Sequence, residues 1–192
     1  MDKSVVNIIA GGNSFRNCDG NTVYHRGYTI GVNEAAIRTP VHVGVSMDRK
    51  WTEVRHEQIA GKPFLLRKPF KLWEGAFVFA CNHETDEFSE VPGILNGRSS
   101  GHCALNYAYQ MRPKKIFLFG FDFTGRPYWF GHLEWHKNKD KTYISNDWIP
   151  AFDAAKKKFD AAGIEVIIVG TESLLTQFKK ITYEEYLQCM KL

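Results

Sequence analysis

Short apolar runs, each closed by a polar turn, recur along the chain and predict a buried parallel sheet. Runs such as Ile116–Phe119 and Glu165–Val169 are apolar almost throughout, which is the pattern of strands covered on both faces. The predicted strands are Val5–Ala10, Tyr28–Val32, Val41–Ser46, Phe64–Leu66, Ala76–Ala80, Ile116–Phe119 and Glu165–Val169.

Helical segments alternate with these strands. Ser99 or Ser100 can cap a helix that carries an apolar stripe and ends at Arg112-Pro113. Further helices are predicted over Glu34–Arg38, Arg49–Ala60, Pro150–Ala162 and Tyr183–Met190, and another is predicted to open at Gly170–Ser173. The alternation indicates an α/β fold, with one domain over residues 1–192 and an open, mostly parallel sheet covered by helices on both faces.

Polar residues follow the strands where the apolar runs end. Asn and Asp are favoured at such turns because they bond their own backbone, which accounts for about half of these positions. A shared crevice outside the carboxyl ends of the strands, where open α/β sheets bind ligands, accounts for all of them. The residues are Asn13, Asn33, Asp48, Asn82 and Asp122.

Two backbone features predict an anionic ligand in that crevice. Gly11 and Gly12 follow the first strand and allow the backbone to approach a phosphate closely. The pattern G-x-G-x-x-G is absent, so a nicotinamide or flavin dinucleotide is not predicted. The N-termini of the predicted helices also favour a negatively charged ligand. At the helix that begins near Ser99, an ordinary helix cap without a ligand is the alternative interpretation. The candidate residues at the helix starts are Ser99, Ser100, Gly101, Thr171 and Ser173.

The stretch 124–147 has no clear periodicity and is predicted to form a long lid loop. Its aromatic residues, Tyr128 among them, either stack on a base or sugar or pin the loop to the body, and pinning is the commoner use. His132 and His136 have the spacing of a metal pair, but no third zinc ligand is evident. A histidine that acts as general base is the favoured interpretation.

The composition is that of a globular protein with a sizeable core, since 44% of the residues are hydrophobic and 24% are charged. The net charge of +4 suits an anionic small molecule and is not the polybasic pattern of a nucleic-acid-binding protein. The four cysteines contain no C-x-x-C pair, which favours a reducing compartment over a disulfide framework or a zinc ribbon. No segment predicts a signal peptide or a membrane span, so a cytoplasmic protein without a membrane partner is expected.

Several short motifs, taken together, resemble known families. "IIAGGNS", "GVNEA", "SSG", "KKIFLFGFDF" and "VIIVGTESLL" resemble the small bacterial sialyltransferases and the related domain of 6-hydroxymethylpterin diphosphokinase-like proteins. "GVNEAAI", "VSMDRKW" and "YQMRPKKIFLFGFDF" resemble a group of tailed-phage proteins labelled morphogenetic. The resemblance covers most of the chain and implies a single Rossmann-like nucleotide-binding domain, in the host cytoplasm if a phage encodes it.

The sialyltransferase resemblance implies a cytidine-nucleotide sugar donor bound over the strand ends. The chain departs from that family in its first turn, where Asn13-Ser14-Phe15 follows the glycines, and in the stretch 143–147, which lacks the family's catalytic histidine. His132 or His136 would then have to serve from further upstream. The positions that match the family's donor site are Asn13, Asn33, Ser100, Gly101, Asp122 and Thr171–Ser173.

The leading hypothesis is a nucleotide-binding transferase, most simply a metal-independent glycosyltransferase without a cofactor, whose acceptor is a sugar or a phage-modified nucleobase. Nucleic acid is considered as a partner only in the role of that acceptor. A homo-oligomer is a further possibility. One alternative is a diphosphokinase-like enzyme that uses ATP and Mg²⁺, with Asp48 and Asp122 as metal ligands. The other is a non-catalytic phage protein that sequesters a nucleotide or assists assembly.

Overall fold

The computed structural model describes residues 3–69, 71–82, 85, 87–125, 128–131 and 144–190. Its strands form one sheet in the order β5-β4-β3-β2-β1-β6-β7-β8, and every neighbouring pair is parallel. The predicted open α/β sheet is therefore confirmed. The strands are β1 Val5–Ile9, β2 Tyr28–Val32, β3 Val43–Ser46, β4 Phe64–Leu66, β5 Ala76–Val78, β6 Lys115–Phe119, β7 Glu165–Val169 and β8 Lys179–Ile181.

Helices cover both faces of the sheet. They are α1 Gly20–His25, α2 Ala35–Arg38, α3 Arg49–Ile59, α4 Ser100–Gln110, α5 Ile149–Ala161 and α6 Tyr183–Cys189, with a 3₁₀ turn at Asn13–Asn17 and a π turn at Ile144–Trp148. Strand alternation divides the core between the two faces. In β6, Ile116 and Leu118 pack in the same cluster as α4 and α5, whereas Phe117 and Phe119 pack with α1 and α6.

The order in which strands are added to the sheet reverses at β1. The strands β2 to β5 extend from one side of β1, and β6 to β8 extend from the other. This arrangement creates a topological switch point between β1 and β6, where open α/β sheets have a crevice outside their carboxyl ends. The fold thus puts the turns after β1 and β6 at the position where a ligand is expected.

The prediction that a helix begins at Gly170–Ser173 is wrong. The chain there forms turns and then the strand β8, which sequence patterning missed. Ser173 Oγ donates a hydrogen bond to the Phe121 carbonyl at 2.6 Å, and the Leu174 amide donates to the Asp122 carbonyl at 2.9 Å. The Ser173 hydroxyl and the Leu174 amide therefore bond to the turn after β6 and not to a first helical turn. Leu175 and Phe178 pack into the core beside these bonds.

A buried carboxylate fixes the end of β2 to α3. Glu34 is only 1% exposed, and its two oxygens accept hydrogen bonds from Trp51 Nε1 at 3.1 Å and from Arg55 Nε and Nη2 at 3.0 and 2.9 Å. Arg38 Nε adds another at 2.9 Å. A buried ion that is fully hydrogen-bonded is tolerated, but one left without its partner is costly.

Glu34→Gln should therefore lower the free energy of unfolding by about 3 kcal/mol, because it removes the buried negative charge with which the partly buried Arg55 guanidinium pairs. Urea denaturation measures the change. Glu53→Gln is the matched control, since its partner Arg49 is 64% exposed and such surface pairs contribute about 1 kcal/mol or less. Equal losses in the two variants would contradict this account.

Candidate functional site

All the predicted strand-end residues that the structure describes lie along one edge of the sheet, here called the carboxyl edge. Because every strand is parallel, the residues that follow β1, β2, β3, β5, β6 and β7 emerge at that edge. Neighbouring strands are about 4.8 Å apart, so side chains from adjacent strand ends can meet. The residues concerned are Asn13, Asn33, Asp48, Asn82 and Asp122, together with Thr171 after β7.

Asp122 joins three of these strand ends. Its side chain is almost fully buried, Oδ2 accepts a hydrogen bond from the Ser14 amide at 2.7 Å, and Oδ1 accepts a short one from the Ser14 hydroxyl. Its own carbonyl accepts from Leu174, in the turn after β7. The carboxylate therefore accepts from a backbone amide that a glycine turn would otherwise offer to a ligand phosphate. Asp122 is a residue that positions the turns of the site.

Two glycines allow the turns after β1 and β6 to touch. The Gly12 amide donates to the Gly120 carbonyl at 2.8 Å. A Cβ on Gly12 would lie 2.5 Å from that carbonyl oxygen and 2.7 Å from the carboxyl carbon of Asp122. Gly120 itself has a φ of +68°, a conformation that favours glycine. Gly12 thus serves the contact between two turns of the protein.

Aromatic residues 128–130 cover the first of these turns. Trp129 Nε1 donates to the Ala10 carbonyl at 3.0 Å, its amide donates to the Gly11 carbonyl at 3.1 Å, and its ring meets Phe15 edge-on at 5.3 Å. A Cβ on Gly11 would lie 2.7 Å from the Tyr128 ring. Pinning is therefore the observed role of Trp129. Tyr128 stacks on Phe130 and stays partly exposed.

A cleft of about 250 Å³ opens beside this junction, between the 3₁₀ turn after β1 and the turn after β7. Asn13, Arg16, Thr171 and Tyr183 line it, together with Glu172. Arg16 is exposed, and its Nε donates to Asn13 Oδ1 at 3.0 Å, which holds the guanidinium over the turn. The cleft offers one cation, several hydroxyls and an aromatic wall, a set that suits a phosphorylated ligand.

A second cleft of about 230 Å³ lies on the other side of the same 3₁₀ turn. Arg16 lines both clefts, and Arg38, Thr39 and Trp129 contribute to the second. Arg38 also lies over the Phe130 ring, 5.5 Å from its centroid. The turn Asn13–Asn17 is therefore a ridge that carries a cation between two recesses.

Burial keeps one thiol and one phenol that line the clefts in their neutral forms. It raises the pKa of Cys18, in the second cleft, to about 12, with Glu184 and Asp122 adding to the effect. Burial also raises the pKa of Tyr183 in the first cleft. Near neutral pH, Cys18 is a thiol without nucleophilic character and Tyr183 keeps its phenol proton.

The remaining predicted residues lie on the other half of the carboxyl edge, around β2, β3 and α4. Ser100 Oγ accepts from the Met47 amide at 3.1 Å, Ser99 caps α4 through the His102 amide, and Asp48 caps α3 through the Trp51 amide at 3.1 Å. Gly101 lies against the Phe121 ring. Capping therefore accounts for Asp48 and Ser99 without a ligand.

Asn33 is an exception among these residues. Its φ of +49° is left-handed, which asparagine tolerates better than most residues. The amide donates to the Val45 carbonyl and the carbonyl accepts from Ala36. Its buried Oδ1 has no hydrogen-bond partner in the part of the chain that the structure describes, so this oxygen is an acceptor that the fold does not use.

The two carboxylates of the magnesium alternative lie far apart. Asp48 follows β3 and Asp122 follows β6, which are three strand spacings, or about 14 Å, from each other. Magnesium ligands lie about 2.1 Å from the ion, so these two side chains cannot hold one ion directly. Within the described ranges there is no cluster of three or more His, Cys, Asp or Glu side chains that could hold a metal ion.

The structure thus brings together some candidates and not others. Asn13 and Thr171 share the first cleft, whereas Ser173 is buried in the junction and Gly11 lies under Tyr128. His132 and His136, and most of the predicted lid loop, lie outside the described residues. Sequence reasoning missed Arg16 and Tyr183, because nothing in the local pattern marks an exposed arginine or a helix-initial tyrosine as a wall of the site.

No protein-family model, no curated protein and no solved structure matches this chain. The resemblance to small sialyltransferases and to tailed-phage proteins therefore stays a prediction. Among the helices of the described residues, none is long and apolar enough to cross a membrane.

Asp122→Asn should lower the free energy of unfolding by about 1.5–3 kcal/mol, because one oxygen that accepts from Ser14 becomes an amide nitrogen and the bond to a charged group is lost. Chemical denaturation measures this loss. Asp48→Asn is the matched control, since Asn caps a helix about as well as Asp, within about 0.5 kcal/mol. A stability loss in Asp48→Asn as large as that in Asp122→Asn would count against the special position of Asp122.

Proposed function

We propose that the chain is a nucleotide-binding transferase, specifically a metal-independent glycosyltransferase that takes its sugar from a nucleotide-sugar donor. The observation that carries this proposal is the cleft lined by Arg16, Thr171 and Tyr183 at the carboxyl edge of a parallel sheet. It adjoins the switch point between β1 and β6, the region where this class of sheet binds its ligands.

Each wall of the cleft suits one part of a nucleotide. The Arg16 guanidinium pairs with a phosphate through charge-assisted hydrogen bonds. Thr171 and Thr182 offer hydroxyl donors, and the Glu172 carboxylate accepts from ribose hydroxyls. The Tyr183 ring, which lies nearly parallel to that of Tyr186, gives the base a flat surface.

The size of the clefts favours a donor with two parts. Ligand sites commonly measure about 300–1,000 Å³, and each cleft alone is smaller than that. Because Arg16 belongs to both clefts, a phosphate held there places the nucleoside in one recess and the sugar toward the other. The donor is thus gripped at its centre, where the bond to be broken lies.

The proposed chemistry is an inverting displacement at the anomeric carbon. The acceptor hydroxyl attacks that carbon, the bond to the phosphate oxygen breaks, and the nucleotide leaves with the electron pair. Arg16 stabilises the growing charge on the phosphate. A general base accepts the hydroxyl proton, a step worth about 10²–10⁴ in rate, and we assign it to His132 or His136.

Arg16→Ala should weaken nucleotide binding about 10- to 100-fold, because a charge-assisted hydrogen bond is worth about 1.5–3 kcal/mol. Thermal-shift titrations with cytidine, uridine, adenosine and guanosine monophosphates and their nucleotide sugars, in EDTA, identify the ligand. A hundredfold excess over Kd stabilises the native state by about 2.7 kcal/mol. Arg49→Ala, an exposed arginine on α3, is the control. The proposal fails if no nucleotide shifts the wild-type protein, or if the two variants bind alike.

One of the two variants His132→Ala and His136→Ala should have a kcat about 10²–10⁴ lower than the wild type, with the Kd for the donor unchanged. Release of nucleotide from the donor, followed in EDTA, measures turnover. Activity that requires added Mg²⁺ would favour the diphosphokinase alternative. Full activity in both variants would remove the histidines from the mechanism.

A further inference from the structure

Two cysteines that the proposed function does not use face each other at the far end of the carboxyl edge. Cys81 follows β5, and Cys103 lies in the first turn of α4. Their sulfur atoms are 3.8 Å apart, and neither cysteine forms a disulfide. Cys103 is fully buried, whereas Cys81 is partly exposed. These two residues are called the thiol pair below.

The backbone on both sides of the thiol pair is fixed. Ala80 pairs with Ile94 in an isolated parallel bridge, and the Leu95 amide donates to the Ala80 carbonyl at 2.9 Å. The Cys103 amide donates to the Ser99 carbonyl at 3.0 Å. A disulfide has a bond length of about 2.05 Å, so the sulfur atoms need to approach by less than about 2 Å. Rotation of the two side chains is the movement that would close this gap.

The two thiols differ chemically. Either thiol can donate the hydrogen bond between the two sulfur atoms. Donation by Cys103 lowers the pKa of Cys81, and the positive charge of Arg67 lowers it further. The same contact, together with burial, raises the pKa of Cys103. The Nε of Arg67 is buried and has no hydrogen-bond partner among the described residues. The partly exposed Cys81 is therefore the better nucleophile, and the buried Cys103 stays protonated until a later step.

We propose that the thiol pair is a reversible redox site that reacts with a low-molecular-weight disulfide. The Cys81 thiolate attacks one sulfur of the disulfide, forms a mixed disulfide and releases one thiolate. Cys103 then gives up its proton and attacks Cys81 Sγ, which closes the Cys81–Cys103 bond and releases the second thiol. The protein loses two electrons and two protons, and the external disulfide gains them.

The bond would join the segment after β5 to the start of α4. Ser100, one turn before Cys103, holds the Met47 amide at the end of β3. Oxidation thus locks together the ends of β3, β5 and α4 on the half of the carboxyl edge that lies away from the nucleotide clefts. A reduced thiol restores the free pair, because each step is an exchange reaction.

The test incubates the native wild-type chain with oxidised glutathione, blocks the remaining thiols by alkylation and counts them by intact mass. We expect two of the four cysteines to escape alkylation without a retained glutathione. Tryptic mapping is decisive, because Arg98 lies between Cys81 and Cys103 and cleavage there gives two peptides that only a disulfide joins. Linked peptides in native buffer support the proposal. Four alkylated thiols, or a link that forms only in denaturant, would overturn it.

Three variants separate this pair from general thiol reactivity. Cys103→Ser should stop at a mixed disulfide on Cys81, because the resolving thiol is gone. Arg67→Gln should slow the first step severalfold, since the thiolate loses its positive neighbour. The double variant Cys18→Ser, Cys189→Ser should keep the Cys81–Cys103 link. Glutathione retained only on Cys18 or Cys189 in the wild type would contradict the assignment.

Discussion

The bond between the Asp122 carboxylate and Ser14 is the constraint on which the arrangement of the carboxyl edge depends. It joins the turn after β1 to the turn after β6, and the Asp122 carbonyl holds the turn after β7. A buried carboxylate is stable only when its oxygens are hydrogen-bonded, so this contact fixes the three turns relative to one another. The cleft between the first and third turns owes its shape to that fixation, because each of its walls begins at one end of the junction.

The same contact changes what the glycine turn does. In a phosphate-binding turn, free backbone amides face the ligand. Here the Ser14 amide already meets a negative charge from within the protein, and Trp129 and Tyr128 cover Gly11. Under the proposed function, recognition of an anion would therefore depend on side chains, with Arg16 on the 3₁₀ turn as the cation. A flexible cation costs more entropy to order than a fixed amide does, but it serves two clefts at once.

The carboxyl edge divides into two regions of different character. Around β1, β6 and β7 it is open and carries the clefts, whereas around β2, β3 and α4 its polar groups are mostly used to cap helices and to join loops. Glu34 and its arginines stabilise the latter region from within. The thiol pair lies there too, on a scaffold held by backbone hydrogen bonds. A rigid half next to an open half is the arrangement expected where one region binds a ligand and the other supports it.

The sequence by itself determined every described strand except β8, the parallel arrangement and the edge at which the polar strand ends meet, because apolar runs and turn residues are local signals that any buried parallel sheet must carry. It could not determine how those ends are used. The helix predicted at Gly170–Ser173 fails because Ser173 bonds to Phe121, 52 positions away, and local capping patterns do not register such a partner. Arg16 and Tyr183 become walls of one cleft, and Cys81 meets Cys103, only when distant segments pack together. Patterning selects which residues reach the edge, and tertiary packing decides which of them remain open to a ligand.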